Sequence, residues 1–188
     1  MLMRRVNVVG TTGSGKTTFA RELARHLGVP HIELDAIRHQ VGWVELPDEL
    51  FRERLLLATA GDGWVVDGNY GGIGAREIVW PRADTLVWLD TPLLVNLWRV
   101  TQRSIRRMLT REALWNGNRE TFANFFLSRN SLFIWALRSH GRKRRELPLL
   151  LTCPDYAHLR VFRLRRPREA RRWLATVAPA SPSRPARV

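Results

Sequence analysis

The chain has 188 residues, 45% hydrophobic and 26% charged, a mixture that suits one globular domain and excludes collagen, coiled coil and wholesale disorder. Its single cysteine, Cys153, excludes an internal disulfide and a thiolate zinc cage. The net charge of +14 is lopsided: residues 1–94 carry 10 Lys or Arg against 12 Asp or Glu, residues 95–188 carry 21 against 5, and every basic residue except Lys16 and Lys143 is arginine.

A planar guanidinium suits phosphate. The basic half therefore points to a polyanion, whether nucleoside phosphate, nucleic acid or an anionic surface, with an arginine-biased solvated surface as the plain alternative. No apolar stretch approaches the ~18 residues of a membrane span. The run Leu132 to Leu137 is short and flanked by Arg129 and Arg138. The first ten residues lead directly into a functional motif rather than forming a signal peptide, so the expected address is cytoplasmic.

Val6 to Val9 is an apolar run ending at Gly10 and reads as a buried strand. Lys16 to Leu27 places Phe19, Leu23, Ala24 and Leu27 on one helical face, and Gly28-Val29-Pro30 stops it. His31 to Leu34 is a second strand, closing at Asp35. A helix begins at Pro47, with Leu50, Leu55 and Ala58 as core positions, and Gly61-Asp62-Gly63 is a turn. Trp64 to Val66 is a third strand, ending at Asp67-Gly68, and Thr85 to Leu89 a fourth, ending at Asp90. Leu93 to Leu109 is an amphipathic helix. At about 100° per residue, Arg99, Arg103 and Arg106 share a face opposite Leu97, Ile105, Met108 and Leu109, the expected core face. Arg142 to Arg145 reads as a solvated loop, Leu159 to Leu164 as a fifth strand, and Pro167 to Val177 as a last helix. Beyond it lies a Pro-, Ser- and Arg-rich tail, expected to be disordered over 178–188.

Strands alternating with helices imply a parallel sheet covered on both faces, with ligands beyond the carboxyl ends of the strands. Gly10, Asp35, Asp67 and Asp90 each follow a strand, so one rim collects the polar residues.

Gly10-Thr11-Thr12-Gly13-Ser14-Gly15-Lys16-Thr17 is a complete P-loop, lying between a strand and a helix as that motif requires. Its glycines let backbone N–H groups turn inward on phosphate oxygens, and the helix adds its positive end. Lys16 would reach the β- and γ-phosphates of ATP, and Thr17 would place its hydroxyl on Mg²⁺. Asp67, at the end of the apolar strand Val65-Val66, is the second expected Mg²⁺ ligand, against the alternative of a turn-capping residue.

These residues resemble the small P-loop kinases of the adenylate kinase and shikimate kinase type. The phrases His31-Ile32-Glu33-Leu34-Asp35, Val66-Asp67-Gly68-Asn69-Tyr70 and Leu114-Trp115-Asn116-Gly117-Asn118 are most similar to the bacterial topology modulation, or adenylate-kinase-like, branch. The resemblance covers about residues 4–175. It implies a three-layer α/β/α P-loop NTPase fold with a five-stranded parallel sheet, as in nucleoside monophosphate kinases. The expected organisation is one domain over 1–177 carrying an arginine-rich helical lid at about 99–120. The resemblance also implies nucleotide contacts from the P-loop, Thr18, Arg165 and Arg166. It places the acceptor at Asp35, Arg38, Asn69, Tyr70 and Arg76. Asp35 would orient a hydroxyl or take its proton, with a helix N-cap as the alternative. Arg103, Arg107 and Arg111, with Arg119 beyond, would meet the transferring phosphate. Where adenylate kinases carry Asp-Gly-Phe-Pro-Arg, this chain has Asp-Gly-Asn-Tyr and no arginine before Arg76, which puts AMP in question. A nucleoside, a sugar alcohol or another small hydroxyl compound stays open.

The expected function is ATP-dependent phosphoryl transfer to a small hydroxyl or phosphate acceptor. The alternative is a nucleic-acid-associated nucleotide-binding protein or NTPase that uses the basic half, although no helix-turn-helix, zinc finger or aromatic–basic ladder accompanies it. The histidines show no metal spacing. The eight tryptophans are expected in the core, except Trp115 in its turn.

Overall fold

A computed structural model describes residues 3–110, 113–118 and 132–178. Arg111, Arg119 and the tail from 179 lie outside the described residues.

Five parallel strands form one sheet in the order β2-β3-β1-β4-β5: β1 (Arg5–Gly10), β2 (His31–Glu33), β3 (Trp64–Asp67), β4 (Thr85–Leu89) and β5 (Arg160–Leu164). The register pairs Val8 with Asp67 and Gly10 with Leu89, so the P-loop leaves the central strand beside the Asp67 carboxylate. Burial on both faces explains the unbroken apolar runs of the central strands.

Helices cover both faces. Val6, Val8, Val87 and Leu89 face α1 (Lys16–Leu27) and α7 (Pro167–Thr176) through Phe19, Leu23 and Leu174. Val66, Leu86 and Trp88 face α3 (Asp48–Ala58), α4 (Ala75–Val79) and α6 (Leu132–Leu150) through Phe51, Leu55, Val79 and Leu147. This is the expected three-layer arrangement. Helix α1 ends where Gly28 takes φ 64°, a left-handed cap that lets the Val29 N–H reach the Ala24 carbonyl. Two further helices are α2 (Leu34–Arg38) and α5 (Leu93–Thr110). Among the described residues no helix is long and apolar enough to cross a membrane.

The structure corrects four local expectations. Strand β2 stops at Glu33, and Asp35 sits in the first turn of α2 rather than capping it. The buried stripe of α3 is Phe51 and Leu55, continued by Thr59, whereas Leu50 is 45% exposed and Ala58 is exposed. Arg142 to Arg145 belong to helix α6. In α5 the buried residues are Asn96, Val100 and Ser104, while Ile105 and Leu109 are exposed and Leu97 is half-buried. The arginine face is therefore beside the buried face of α5, not opposite it. The cause is what α5 packs on: a Cβ at Gly13 would meet Val100 Cγ2 at 2.6 Å and the Asn96 carbonyl closer still. The helix leans on P-loop backbone, where an apolar stripe has no apolar partner.

The α3 correction has a measurable consequence. Leu55→Ala should destabilise by about 2–5 kcal/mol, through lost burial and the cavity left behind. Leu50→Ala should stay within about 0.5 kcal/mol. Urea unfolding of the two variants checks this; equal losses would mean the stripe is placed wrongly.

Candidate active site

The P-loop joins β1 to α1. Gly13 at φ 81° and Gly15 at φ 90° hold left-handed backbone that only glycine adopts without strain. The Ser14 N–H donates to the Thr11 carbonyl at 3.1 Å, and Lys16 Nζ reaches the same oxygen at 3.3 Å, curling the loop. The Ser14 hydroxyl is buried without a hydrogen-bond partner. Arg99 of α5 brings Nη1 to 3.5 Å from the Ser14 carbonyl, which places the first arginine of that helix at the loop. Arg103 is exposed and Arg107 half-buried further along α5. Thr12 and Thr17 are half-buried and Thr18 is exposed.

Asp67 ends β3 with its side chain buried. Burial pushes its carboxyl up to about 6, against the pull of Lys16 and a hydrogen bond from Thr17. Its Oδ1 has no hydrogen-bond partner. A buried carboxylate oxygen left over beside a P-loop hydroxyl is a donor set that fits Mg²⁺, a hard cation that takes few protein ligands and completes its shell with water and phosphate. The loop, with its inward glycines and the leftover Ser14 hydroxyl, fits the phosphates of a nucleotide.

Helix α6 supplies what the sequence did not reveal. Its residues His140 and Lys143 lie along the P-loop: His140 Nδ1 is 3.4 Å from Thr11 Oγ1, and Lys143 Nζ donates to the Gly10 carbonyl at 3.1 Å. Lys143 is half-buried, and its ammonium is held well below the ordinary lysine range by desolvation, then by Lys16 and Arg142, with Asp35 pulling the other way. The available signal was composition alone, since Lys143 is the only lysine besides that of the P-loop. Arg144 donates to Asp90 Oδ1 at 2.6 Å, and Arg163 grips Asp90 Oδ2 at 2.7 Å while lying 4.2 Å over the Trp88 ring. Asp90, the fourth rim residue, thus anchors α6 and β5 to each other, and two arginines of the basic half are engaged inside the fold.

Beside Gly10 opens a cavity of about 310 Å³. Gly68, Asn69, Gly71 and Gly72 line one side, Arg142, Lys143 and Leu147 another, and Arg76 and Trp80 a third. Glu146 is the one acid among its lining residues, against Arg76, Arg142 and Lys143.

The remaining expected acceptor residues divide. Asn69 lines the cavity but also clamps β1, donating to the Gly10 carbonyl at 2.7 Å and accepting the Gly10 N–H at 3.2 Å. Arg76 lines it while pairing with Glu77. Tyr70 is turned away, its hydroxyl donating to Asp35 Oδ1 at 2.6 Å. Burial and the Asp35 charge raise the Tyr70 phenol, so it remains a donor. Arg38 is diverted: its guanidinium donates to the Leu46 carbonyl, Asp48 and Glu45 and braces the following loop instead of facing the cavity. Arg165 and Arg166 are exposed at the start of α7, where their N–H groups meet Glu169.

No family model matches the chain. Among curated proteins it is 32% identical over 113 residues to the cytidylate kinase of Thermococcus kodakarensis, covering 52% of this chain and 56% of that enzyme. It is 31% identical over 125 residues to the shikimate kinase of Halorhodospira halophila, covering 56% and 67%. The chain thus spans little more than half the length of the cytidylate kinases it matches. Among solved structures, the shikimate kinase from Acinetobacter baumannii superposes with a TM-score of 0.56 at 20% identity, over 93% of this chain and 90% of that one. A sugar kinase from Janibacter sp. superposes with a TM-score of 0.50 at 26% identity, over 96% and 99%. A complete P-loop at the end of β1, an acid at the end of the neighbouring β3, the 2-3-1-4-5 strand order and these relatives agree: the chain belongs to the small P-loop kinases.

Proposed function

We propose that the protein transfers the γ-phosphoryl group of Mg·ATP to an oxygen of a small anionic acceptor. The observation that carries this reading is the placement of Lys143, half-buried between the first glycine of the P-loop and a cavity it shares with Arg76 and Arg142. A site of about 310 Å³ is at the small end of ligand cavities, which suits a metabolite and not a polymer. The kinship with cytidylate and shikimate kinases supports phosphoryl transfer.

In this reading Lys16 binds the β- and γ-phosphates, and Thr17 and Asp67 hold Mg²⁺, which neutralises charge on the phosphate oxygens when bound. The loop N–H groups and the Ser14 hydroxyl orient the phosphate chain. Asp35 is not itself among the cavity's lining residues, but it follows Leu34, which is, and its charge acts on Lys143; in this reading it orients the acceptor oxygen and takes its proton. Arg99, Arg103 and Arg107 of α5, with Arg111 outside the described residues, meet the charge that spreads over the moving phosphoryl group. Arg165 and Arg166 offer guanidinium faces to the base. The protein's part is positioning and charge neutralisation, because phosphoryl transfer leaves little covalent work for side chains.

The test is label transfer from γ-labelled ATP to matched acid and neutral pairs: gluconate and glucitol, shikimate and its methyl ester, CMP and cytidine. At least one acid should accept label, with its neutral partner at least tenfold lower in kcat/KM, and Lys143→Met should raise the KM of that acid about tenfold or more. Equal use of a neutral partner would overturn the anionic acceptor. Label passing only to water would overturn the kinase reading.

A further inference from the structure

The phrase Leu114-Trp115-Asn116-Gly117-Asn118 has no part in the site described so far, yet its contacts lead to Asp35. Residues 38–46 form a small hairpin after α2: His39 bridges to Glu45, the Gln40 N–H donates to the Val44 carbonyl at 2.7 Å, and Gly42 and Trp43 both take left-handed backbone at its tip. Two asparagines bind the 114–118 turn to it. Asn116 Nδ2 donates to the His39 carbonyl at 2.5 Å. Asn118, 5% exposed, uses both ends of its amide: Oδ1 accepts the Trp43 N–H at 2.9 Å and Nδ2 donates to the Gln40 carbonyl at 2.8 Å. Trp115 stacks on the His39 ring at 6.0 Å and meets Trp43 edge-on at 6.4 Å.

His39 is the junction. Its Nε2 is 3.3 Å from the Tyr70 hydroxyl, and that hydroxyl donates to Asp35 Oδ1 at 2.6 Å. Within the docked turn Asn116 takes left-handed backbone at φ 54°, and Asn118 has both amide ends engaged on the hairpin. Two asparagine amides that match three backbone groups of one remote hairpin, two of them met by the buried Asn118, give a defined register, not mere proximity.

We propose that the 114–118 turn is a latch that positions Asp35: Asn118 and Trp115 set the His39 ring, His39 sets the Tyr70 hydroxyl, and Tyr70 fixes the carboxylate that receives the acceptor's proton. These are positioning residues and touch no substrate. The consequence is that transfer to the acceptor depends on a turn outside the acceptor cavity, while nucleotide binding at the P-loop does not. The inference rests on the kinase reading for its effect on turnover, and on the contacts alone for its effect on Tyr70.

The two parts can be measured separately. The chain has two tyrosines, Tyr70 and Tyr156, so fluorotyrosine labelling gives two ¹⁹F resonances that Tyr70→Phe assigns. Asn118→Ala and Trp115→Ala should each move the Tyr70 resonance and leave that of Tyr156 in place, while Trp115→Phe, which keeps a ring over His39, should move it least. With the acceptor from the label-transfer panel, Asn118→Ala should lower kcat about tenfold with the KM for ATP within about twofold. In a Tyr70→Phe background the same change should cost nothing further, because the connection is already cut. An unmoved Tyr70 resonance, or additive losses in the double variant, overturns the latch. A moved resonance in a protein that labels no acceptor leaves the latch standing and overturns the kinase reading instead.

Discussion

Lys16→Ala should lower phosphoryl transfer by a factor of about 10³ or more and weaken Mg·ATP binding, with almost no change in melting temperature. The loop around Lys16 is built by backbone: glycines at φ 81° and 90°, and the Ser14 N–H on the Thr11 carbonyl. Lys16 Nζ adds one contact to that oxygen, at 3.3 Å, and is only half-buried, so little folding energy depends on it. What it contributes is a positive charge aimed into a water-poor cradle, where a single donor to developing charge is worth about 10²–10³ and a full charge more. Lys143 cannot take over the role, since its Nζ is turned to the Gly10 carbonyl and the cavity beyond. Titration with Mg·ADP and a label-transfer assay measure the two effects, and circular dichroism the third. Retained turnover in Lys16→Ala would remove the P-loop from the chemistry.

The P-loop was legible because its information is contiguous: eight residues, one strand before and one helix after. The three central strands were legible because a parallel sheet buried on both faces writes them as apolar runs, whereas the edge strands β2 and β5 are only partly buried. Long-range partners were not legible. Helix α6 carries Gly141 and Pro148 and a run of four basic residues, signs of a loop, yet Arg144 on Asp90 and Lys143 on Gly10 fix it against the rim. The α5 face misled for a related reason. It packs on loop backbone at Gly13 as well as on α6, so Asn96, Val100 and Ser104 are buried with no apolar stripe to announce them. The family resemblance put Arg38 at the acceptor, but Glu45 and Asp48 lie within reach of it once the chain turns. The rim around the cavity thus depends on contacts between elements distant in sequence, of which only the P-loop side is local.

Asp67→Asn should separate stability from activity. The carboxylate is buried at the end of β3, its Oδ1 lacks a partner, and burial raises its proton affinity, so holding it ionised costs folding energy. The amide is nearly the same size and carries no charge to desolvate. The variant should therefore be as stable as the parent or melt a few degrees higher. Nucleotide binding measured without metal should change little, since Lys16 and the loop N–H groups remain. Turnover supported by Mg²⁺ should fall by about 10²–10⁴, and extra Mg²⁺ should restore only part of it, because a neutral amide oxygen is a weak ligand for a hard cation. A residue that only shaped the turn after β3 would give the reverse pattern, with lower stability and near-normal turnover. The opposite signs make the pair of measurements decisive: a higher melting temperature with lost Mg²⁺-dependent turnover assigns Asp67 to the metal, and wild-type Mg²⁺ dependence assigns it to the turn.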